Sequence, residues 1–368
     1  MAAVMSLAEP HVHKLPTLAD RLLTGKSLQV ELSLRVMSFN VWWDSGKSLD
    51  SICEVIQRNH PDLVGLQECS LESAQRIGKI CGLGYAGAGD RMQPVLSRWP
   101  IEMMDPQLSA GRGFRVILPG GQEVLWFNVH LRAYPYPPYV LSKPDTYCVQ
   151  DPFELSFQAM LEDMCPGPAA SEAAVMKEEC HATASELAAA TEQETQLPDL
   201  IEVLEHARSC WNDGDACAIL LTGDFNAASH LDYPSGPSWP CSRECASFGL
   251  IDSFAKARAL GIADQEPAQT WAAKPDQEPH GLHDRIDYVY YFGDILLEWS
   301  RHLDGLNSGV SEWPSDHRAV LSALSLSLRS FQQDGEDSQD CGERSRTSTL
   351  STCAEESDLE CTGQWPEL

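Results

Sequence analysis

Residues 218–226 read Ala-Ile-Leu-Leu-Thr-Gly-Asp-Phe-Asn, an apolar run that ends in a glycine and two polar residues. Such a run is typical of a buried strand, and a glycine beside Asp and Asn is typical of the turn that ends it. Asp224 and Asn226 stand two residues apart in this extended turn, so both side chains can point to the same side. The stretch therefore predicts a buried strand that delivers a carboxylate and an amide to one edge of a sheet.

The same pattern recurs along the chain. Apolar alternation or short apolar runs predict further strands over 30–40, 62–67, 94–97, 114–118, 124–131, 286–291, 296–301 and 319–324. Helical periodicity predicts a helix after the capping residue Ser48, ending near 59–61, and another over 70–80. Many strands with few helices between them predict packed sheets flanked by helices. Polar side chains stand at or near the ends of most of these strands: Asn40, Glu68, Asn128, His130, Asp224, Asp287 and the pair Asp316-His317.

Taken singly, these residues are what turns and caps use; taken together, they point to phosphate chemistry. The carboxylates of Glu68 and Asp316 are hard oxygen ligands of the kind that Mg²⁺ or Mn²⁺ prefers, and Asn40 can complete or orient such a ligand set. Two histidines can supply proton donors toward a phosphate. Asp287 can orient one of them through a ring nitrogen and so select its tautomer.

These blocks, in this order, resemble the endonuclease/exonuclease/phosphatase superfamily. The resemblance rests on residues 35–40, Leu66-Gln67-Glu68, 96–101, Asn128–Leu131, Gly223–Asn226, Thr270-Trp271, Arg285–Tyr288 and Ser315–His317. It extends over about residues 33 to 325. It implies a DNase I-like, four-layer α/β sandwich, in which two packed β-sheets are flanked by helices. It also implies a hydrolase of phosphate esters that depends on Mg²⁺ or Mn²⁺.

The resemblance further implies a role for each residue. Glu68 with Asn40 and Asp316 would hold the metal, and Asp224 would position or deprotonate the attacking water. Asn226 and His130 would bind phosphate oxygens, and His317 paired with Asp287 would act as a base or as a phosphate-stabilising acid. The substrate side is expected to include Asn128, Arg98, Tyr134 and Tyr136. The tyrosines belong to Tyr134-Pro135-Tyr136-Pro137-Pro138-Tyr139, which either stacks on a flat substrate group or packs as scaffold.

Charge and composition divide the chain. The formal net charge is −28, and most of the excess falls in 151–215 and 331–368. We expect an N-terminal arm over 1–29, one domain over 30–327, and an acidic disordered tail over 328–368. Within the domain, the gap between His130 and Asp224 exceeds the family pattern. It predicts an acidic helical insertion on the surface at about 150–212.

Composition also narrows the function classes. An acidic field disfavours a broad nucleic-acid-binding surface, although it leaves a narrow metal-centred nuclease site open. The sequence contains no run of 18 consecutive apolar residues, so no membrane span is predicted. The 13 cysteines contain no CxxC pair, which favours free thiols and a cytoplasmic location, with the nucleus left open. The leading hypothesis is a phosphodiesterase or phosphatase. The alternatives are a Mg-dependent nuclease and a catalytically inactive binding module on the same fold; substrate identity and oligomeric state stay open.

Overall fold

The computed structural model of the chain describes residues 30–42, 48–88, 92–105, 107–142, 183–214, 216–233, 237–263, 268–271, 284–310 and 312–328. The strands are β1 Val30–Asn40, β2 Leu63–Gln67, β3 Gly84–Ala86, β4 Val95–Ser97, β5 Ile101–Met103, β6 Gly111–Ile117, β7 Glu123–His130, β8 Ala218–Asp224, β9 Ile251–Asp252, β10 Asp287–Gly293, β11 Ile295–Leu303 and β12 Ala319–Leu328. The helices are α1 Leu49–Asn59, α2 Leu71–Cys81, α3 Pro137–Ser142, α4 Ala184–Glu194, α5 Gln196–Asp213, α6 Pro240–Phe248 and α7 Ser253–Leu260.

The strands form two mixed six-stranded sheets. The first sheet has the order β11-β12-β1-β2-β4-β3, and the second has the order β5-β6-β7-β8-β10-β9. Each sheet contains a central parallel pair, β1 with β2 and β7 with β8, and antiparallel strands surround each pair. Because parallel strands end at the same edge, each sheet presents two strand carboxyl ends side by side.

Three apolar clusters show how the layers stack. One lies between the two sheets and contains Leu34 of β1 and Trp126 of β7, both fully buried. A second packs α1 and α2 on the outer face of the first sheet, and a third packs α5 and α6 on the outer face of the second. Burial of both sheet faces requires helices on both outsides. The predicted four-layer α/β sandwich is therefore confirmed.

Local sequence explains where the helices begin. Ser48 is the N-cap of α1, and its hydroxyl accepts a hydrogen bond from the Asp50 amide, as predicted. Asp252 caps α7 in the same manner, through a 3.1 Å hydrogen bond from the Ala255 amide. The sequence patterns missed α3, α6 and α7 because all three are short. They also missed β3, β5 and β9, which have two or three residues each.

The helix α5 lies within the segment predicted as an insertion. Its residues Leu200 and Ala207 are buried against Phe127 and Leu221 of the second sheet. The segment 196–213 therefore packs as part of an outer layer of the sandwich, and the insertion at about 150–212 stays a prediction. Residues 143–182, the arm 1–29 and the tail beyond 328 lie outside the described residues. Among the helices that are described, each is too short or too polar to cross a bilayer.

Candidate active site

Strand alternation brings the polar residues to the space between the two sheets. In β8, Ala218 and Leu220 face the other sheet, and Asp224 continues that alternation at the carboxyl end of the strand. Asn40 stands in the same register as Leu34 in β1, and His130 in the same register as Trp126 in β7. The intersheet space therefore changes from apolar to polar at one end.

Asp224 lies at the centre of this polar end. Its Oδ2 accepts a 3.0 Å hydrogen bond from Nδ2 of Asn40, and its Oδ1 accepts one of 2.9 Å from the Asn226 amide. The same Oδ2 lies 3.6 Å from Nε2 of His130 and 3.8 Å from Nε2 of His317. Burial, and then the charge of Asp287, raise the pKa of Asp224 to about 6. A carboxylate with this pKa takes up and releases protons close to neutral pH.

His317 is held by a buried carboxylate. Its Nδ1 lies 2.8 Å from Oδ2 of Asp287, which is fully buried. The hydroxyl of Thr270 accepts hydrogen bonds from the backbone amides of Ile286 and Asp287, at 2.9 and 3.0 Å, and so positions the start of β10. Burial lowers the pKa of His317, but the charges of Asp287 and Asp224 outweigh it and raise the value to about 10. The pair therefore favours an imidazolium whose Nε2 faces the site.

Glu68 and Asp316 form the acidic side of the site. Glu68 adopts the left-handed backbone conformation, with φ of 56°, directly after β2. A non-glycine residue in this region is uncommon, and such conformations concentrate at functional sites. Burial raises the pKa of Asp316, His317 opposes the rise, and the charge of Glu68 adds to it. The two carboxylates therefore share one electrostatic environment.

Asn40 contacts both carboxylates that surround the predicted metal position. Its Nδ2 donates to Glu68, at 3.2 Å, and to Asp224, at 3.0 Å, while its Oδ1 accepts from the Trp42 amide at 3.0 Å. The oxygen that would bind a cation is therefore engaged by the backbone. Asn40 therefore positions two carboxylates through its amide nitrogen, and its role as a metal ligand stays a prediction.

A second set of possible ligands lies beside the first. Asp224, Asp287 and His317 each bring one ligand atom to within 4.8 Å of the others. The Nδ1 of His317 is already hydrogen-bonded to Asp287, however, and Asp224 already accepts from Asn40. Internal hydrogen bonds account for this cluster, and the Glu68–Asp316 side offers the freer carboxylate oxygens.

These groups line a cavity of about 210 Å³. Its polar lining consists of Glu68, His130, Asp224, Asn226, Asp316 and His317. Its aromatic lining consists of Trp42, Tyr134, Tyr136, Tyr139 and Trp271. Of the residues predicted as catalytic or metal-binding, Asn40 and Asp287 lie behind this lining, and the other six contribute to it directly.

Two of the predicted substrate contacts lie elsewhere. Asn128 is fully buried between the sheets, where its Nδ2 donates to the Leu66 carbonyl at 2.8 Å and its Oδ1 accepts from Gln67 at 2.7 Å. Arg98 pairs with Asp62 at 2.7 Å, at the opposite end of β2 from Glu68. Both expectations are corrected. Asn128 joins the two sheets, and Arg98 binds the residue just before a strand.

The two predicted tyrosines behave differently from each other. Tyr134 lines the mouth of the cavity and is 64% exposed, whereas Tyr136 is 5% exposed. The Tyr136 hydroxyl donates to Oδ2 of Asp284 at 3.0 Å, and burial together with Asp284 raises its pKa well above the ordinary value. It therefore remains a neutral phenol that presents ring surface, and not its hydroxyl, to the cavity.

Several residues that build this cavity are not among the predicted site residues, although Tyr139 belongs to the tyrosine motif that was expected either to stack on substrate or to pack as scaffold. Trp42, Tyr139 and Trp271 line it, and Thr270 holds the backbone of Asp287. Thr270-Trp271 is recognisable as a short block, but nothing in its spacing shows which way either side chain points. Asp284 stands out in the sequence only as part of an Asp-Arg pair, and its two tyrosine partners come from distant segments.

The fold and this constellation define a hydrolase of the phosphoesterase and nuclease type. Two packed sheets carry an Asp–His pair, a second carboxylate and further acidic groups at one end of the space between them. The sequence model described as "Endonuclease/Exonuclease/phosphatase family" matches residues 37–317. The chain belongs to this family, and the resemblance noted in its sequence is confirmed.

Several individual proteins are similar to this chain. An uncharacterized protein of Caenorhabditis elegans is 21% identical over 321 residues, covering 78% of this chain and 90% of that protein. The crystal structure of a family member from Bacteroides thetaiotaomicron has 16% identity and a TM-score of 0.48, covering 82% of this chain and 97% of that one. Truncated TDP2 of Caenorhabditis elegans has 16% identity and a TM-score of 0.48, with coverages of 80% and 98%. These similarities are distant, and the family assignment rests on the match over residues 37–317.

Proposed function

We propose that this protein is a divalent-metal-dependent phosphodiesterase or phosphatase. One observation carries the proposal. Ionisable groups from separate parts of the chain converge on one cavity. They are His317 with its hydrogen-bonded partner Asp287, Asp224 with a pKa of about 6, and the acidic pair Glu68 and Asp316. Structural packing has no need for so many ionisable groups in one place, and each is costly to bury.

The donor set fits a divalent cation. The cavity lining among the described residues contains three carboxylates and no Lys or Arg. A phosphate ester entering such a site meets three carboxylates against the single imidazolium of His317, and a bound cation would compensate the excess negative charge. Glu68 and Asp316 would hold Mg²⁺ or Mn²⁺ through carboxylate oxygens, with Asn40 orienting Glu68. A bound cation neutralises charge on the phosphate and on the leaving oxygen.

Asp224 is the group that we assign to the attacking water. Its Oδ2 faces both histidines, and its raised pKa matches the Brønsted requirement for a general base near neutral pH. The hydrogen bonds from Asn40 and from the Asn226 amide hold the carboxylate in one orientation. A water activated there needs no serine or cysteine nucleophile.

The two histidines and Asn226 are assigned to the phosphate oxygens. Asp287 occupies Nδ1 of His317, so the proton on Nε2 is the one directed at the cavity. His130 is 21% exposed in its side chain and lies 3.6 Å from Asp224. Asn226 donates one amide proton to the Leu131 carbonyl at 3.0 Å, which leaves its second amide proton for a ligand. These donors stabilise charge that develops on the phosphate.

The test is hydrolysis of an activated phosphodiester beside its matching monoester, with Mg²⁺, with Mn²⁺ and with a chelator. We expect turnover that the chelator abolishes and that His317→Ala and Glu68→Gln reduce by about 10²-fold or more. Glu72→Gln is the matched control, because Glu72 lies in the first turn of α2 and outside the cavity. Turnover that survives the chelator or both variants would contradict the proposal.

Two alternatives have distinct outcomes in the same experiment. A nuclease would cleave a single-stranded oligonucleotide much faster than the small diester. A catalytically inactive binding module would bind Mn²⁺ in calorimetry, with loss of binding in Glu68→Gln, while hydrolysing none of the three compounds.

A further inference from the structure

We propose that the group esterified to the phosphate is a flat ring, which stacks on an aromatic wall formed by Tyr136, Tyr139 and Trp271. This inference rests on the proposed function, because it names the substrate class of the same cavity. The substrate class is a phosphate ester with one phosphorus atom and an aromatic or heteroaromatic substituent that carries no further negative charge.

The wall is a continuous aromatic surface. The ring centroids lie 5.0 Å apart for Tyr136 and Tyr139, 5.5 Å for Tyr136 and Trp271, and 6.3 Å for Tyr139 and Trp271. All three pairs meet edge to face, which is a favourable geometry for aromatic rings. Tyr139 and Trp271 are half-buried and line the cavity, so they retain ring surface for a ligand.

The wall stands directly beside the reacting groups. The backbones of Trp271 and His317 pair directly through an isolated antiparallel bridge. The indole therefore belongs to the residue next to the proposed proton donor. A group attached to the phosphate through one ester oxygen therefore reaches the wall without a long spacer. The wall faces the substituent, while the carboxylates and histidines face the phosphate.

Hydrogen bonds hold the wall in place before any ligand arrives. The Trp271 amide donates to the Asp284 carbonyl at 3.0 Å, and the carboxylate of Asp284 accepts from Tyr136 at 3.0 Å and from Tyr233 at 2.5 Å. Asp284 is itself buried. A wall that is already ordered costs little entropy on binding, which is what a recognition surface requires.

Charge and size favour a small group with a single phosphate inside this cavity. The described lining offers no Lys or Arg, so a second phosphate would lie among carboxylates without a partner. The volume of about 210 Å³ lies below the range of about 300–1,000 Å³ that is usual for drug-sized ligands. It suits a phosphate with one ring system.

The test measures binding and not turnover, with ligands that cannot be hydrolysed. Phenylphosphonate and cyclohexylphosphonate carry the same charge and have similar size, but only the first is flat. By calorimetry with Mn²⁺ present, we expect phenylphosphonate to bind about 10-fold more tightly to the wild-type chain, equivalent to about 1.4 kcal/mol. We expect Trp271→Leu and Tyr139→Leu to reduce that ratio to below about two-fold.

The control variant is Tyr85→Leu, which removes a tyrosine of β3 that does not line the cavity. It should keep the 10-fold ratio, and thermal melts check that all variants fold. Equal binding of the two phosphonates to the wild-type chain would overturn the proposal, as would a ratio that survives both wall variants. Hydrolysis of a generic ester that depends on His317, without any ring preference, would overturn the ring proposal alone. Ring-selective binding without hydrolysis of any ester would instead overturn the proposed function.

Two kinds of substrate carry a flat ring, a nucleotide and an aryl ester, and further ligands distinguish them. Thymidine 5′-phosphonate and its counterpart without the base test a nucleobase, which lies one sugar away from the phosphorus. If the base adds more affinity than the phenyl ring does, the ring belongs to a nucleotide. If it adds less, the ring is attached to the phosphate directly, as in an aryl ester.

Discussion

Replacing Asn128 by aspartate tests whether this side chain joins the sheets or contacts substrate. Nδ2 of Asn128 donates to the carbonyls of Leu66 and Gln93, at 2.8 and 3.3 Å. Its Oδ1 accepts from Gln67, at 2.7 Å, and from Thr222, at 3.0 Å. Asn128→Asp keeps the shape and the accepting oxygen, but an ionised carboxylate would turn a second oxygen toward carbonyl oxygens. The folded variant therefore needs a protonated carboxyl group at position 128.

The cost of that protonation sets the magnitude. An aspartate in the unfolded chain has a pKa of about 3.9, and each pH unit above this value costs about 1.36 kcal/mol to keep the group protonated. The variant should therefore lose about 5 kcal/mol of unfolding free energy at about pH 7.5, and about 2 kcal/mol at about pH 5.5. The sign follows from linkage: a raised folded-state pKa contributes stability at low pH that is lost as pH rises.

The assay is urea unfolding, followed by tryptophan fluorescence at the two pH values for wild type and variant. Asn212→Asp is the matched control, since Asn212 lies on the exposed face near the end of α5, and it should change stability by less than about 1 kcal/mol. A loss for Asn128→Asp that is the same at both pH values, or that stays below about 1 kcal/mol, would refute the reasoning. A fully stable variant with impaired hydrolysis would restore a substrate role for Asn128.

The remaining predictions concern three other positions. Gly65→Ala would place a Cβ 2.5 Å from Oδ1 of Asn128 and against the Thr222 hydroxyl, so urea unfolding should show a loss of about 1–3 kcal/mol; unchanged stability would mean that the sheets do not approach so closely. Burial raises the pKa of Glu192 to about 7, so this group destabilises the fold as pH rises through that value. In pH-dependent melts, Glu192→Gln should therefore gain up to about 3 kcal/mol of unfolding free energy at about pH 8 and nothing near pH 4.5. A gain that is independent of pH would contradict this. Asp287→Asn should lower kcat by about 10³-fold with little change in KM, because the buried partner of the histidine loses its charge; steady-state kinetics with a rise in KM alone would speak against it.

Much of the secondary structure followed from local patterns. The strand ending at Asn40, the apolar run before Glu68 and the cap at Ser48 all appear where the sequence predicts them. Short elements escaped because a strand of two residues, such as β9, holds too few positions to show a period. The acidic neighbours of the segment 196–213 favour a surface position, although its apolar stripe is long enough to cover a sheet.

The sequence predicts which face of a strand a side chain occupies, but not its depth between the two sheets. His130 and Asn128 lie two residues apart on β7 and face the same side, so the sequence predicts that they act together. Asn128 is farther than His130 from the carboxyl end of the strand, however. It therefore lies deeper in the space between the sheets, against Gln67 of the opposite sheet. Depth along a strand depends on where the facing strand ends, and no pattern within β7 reports that.

The sequence by itself determined which polar residues stand at the ends of strands. It did so because periodicity and turn residues are local properties of a chain. The tertiary structure alone decided which of two buried faces looks toward the other sheet, since β8 is buried on both faces and its apolar run reads the same from either side. It also decided that Trp271 meets Tyr136 beside His317, because three segments far apart in the chain have to pack together before such contacts exist.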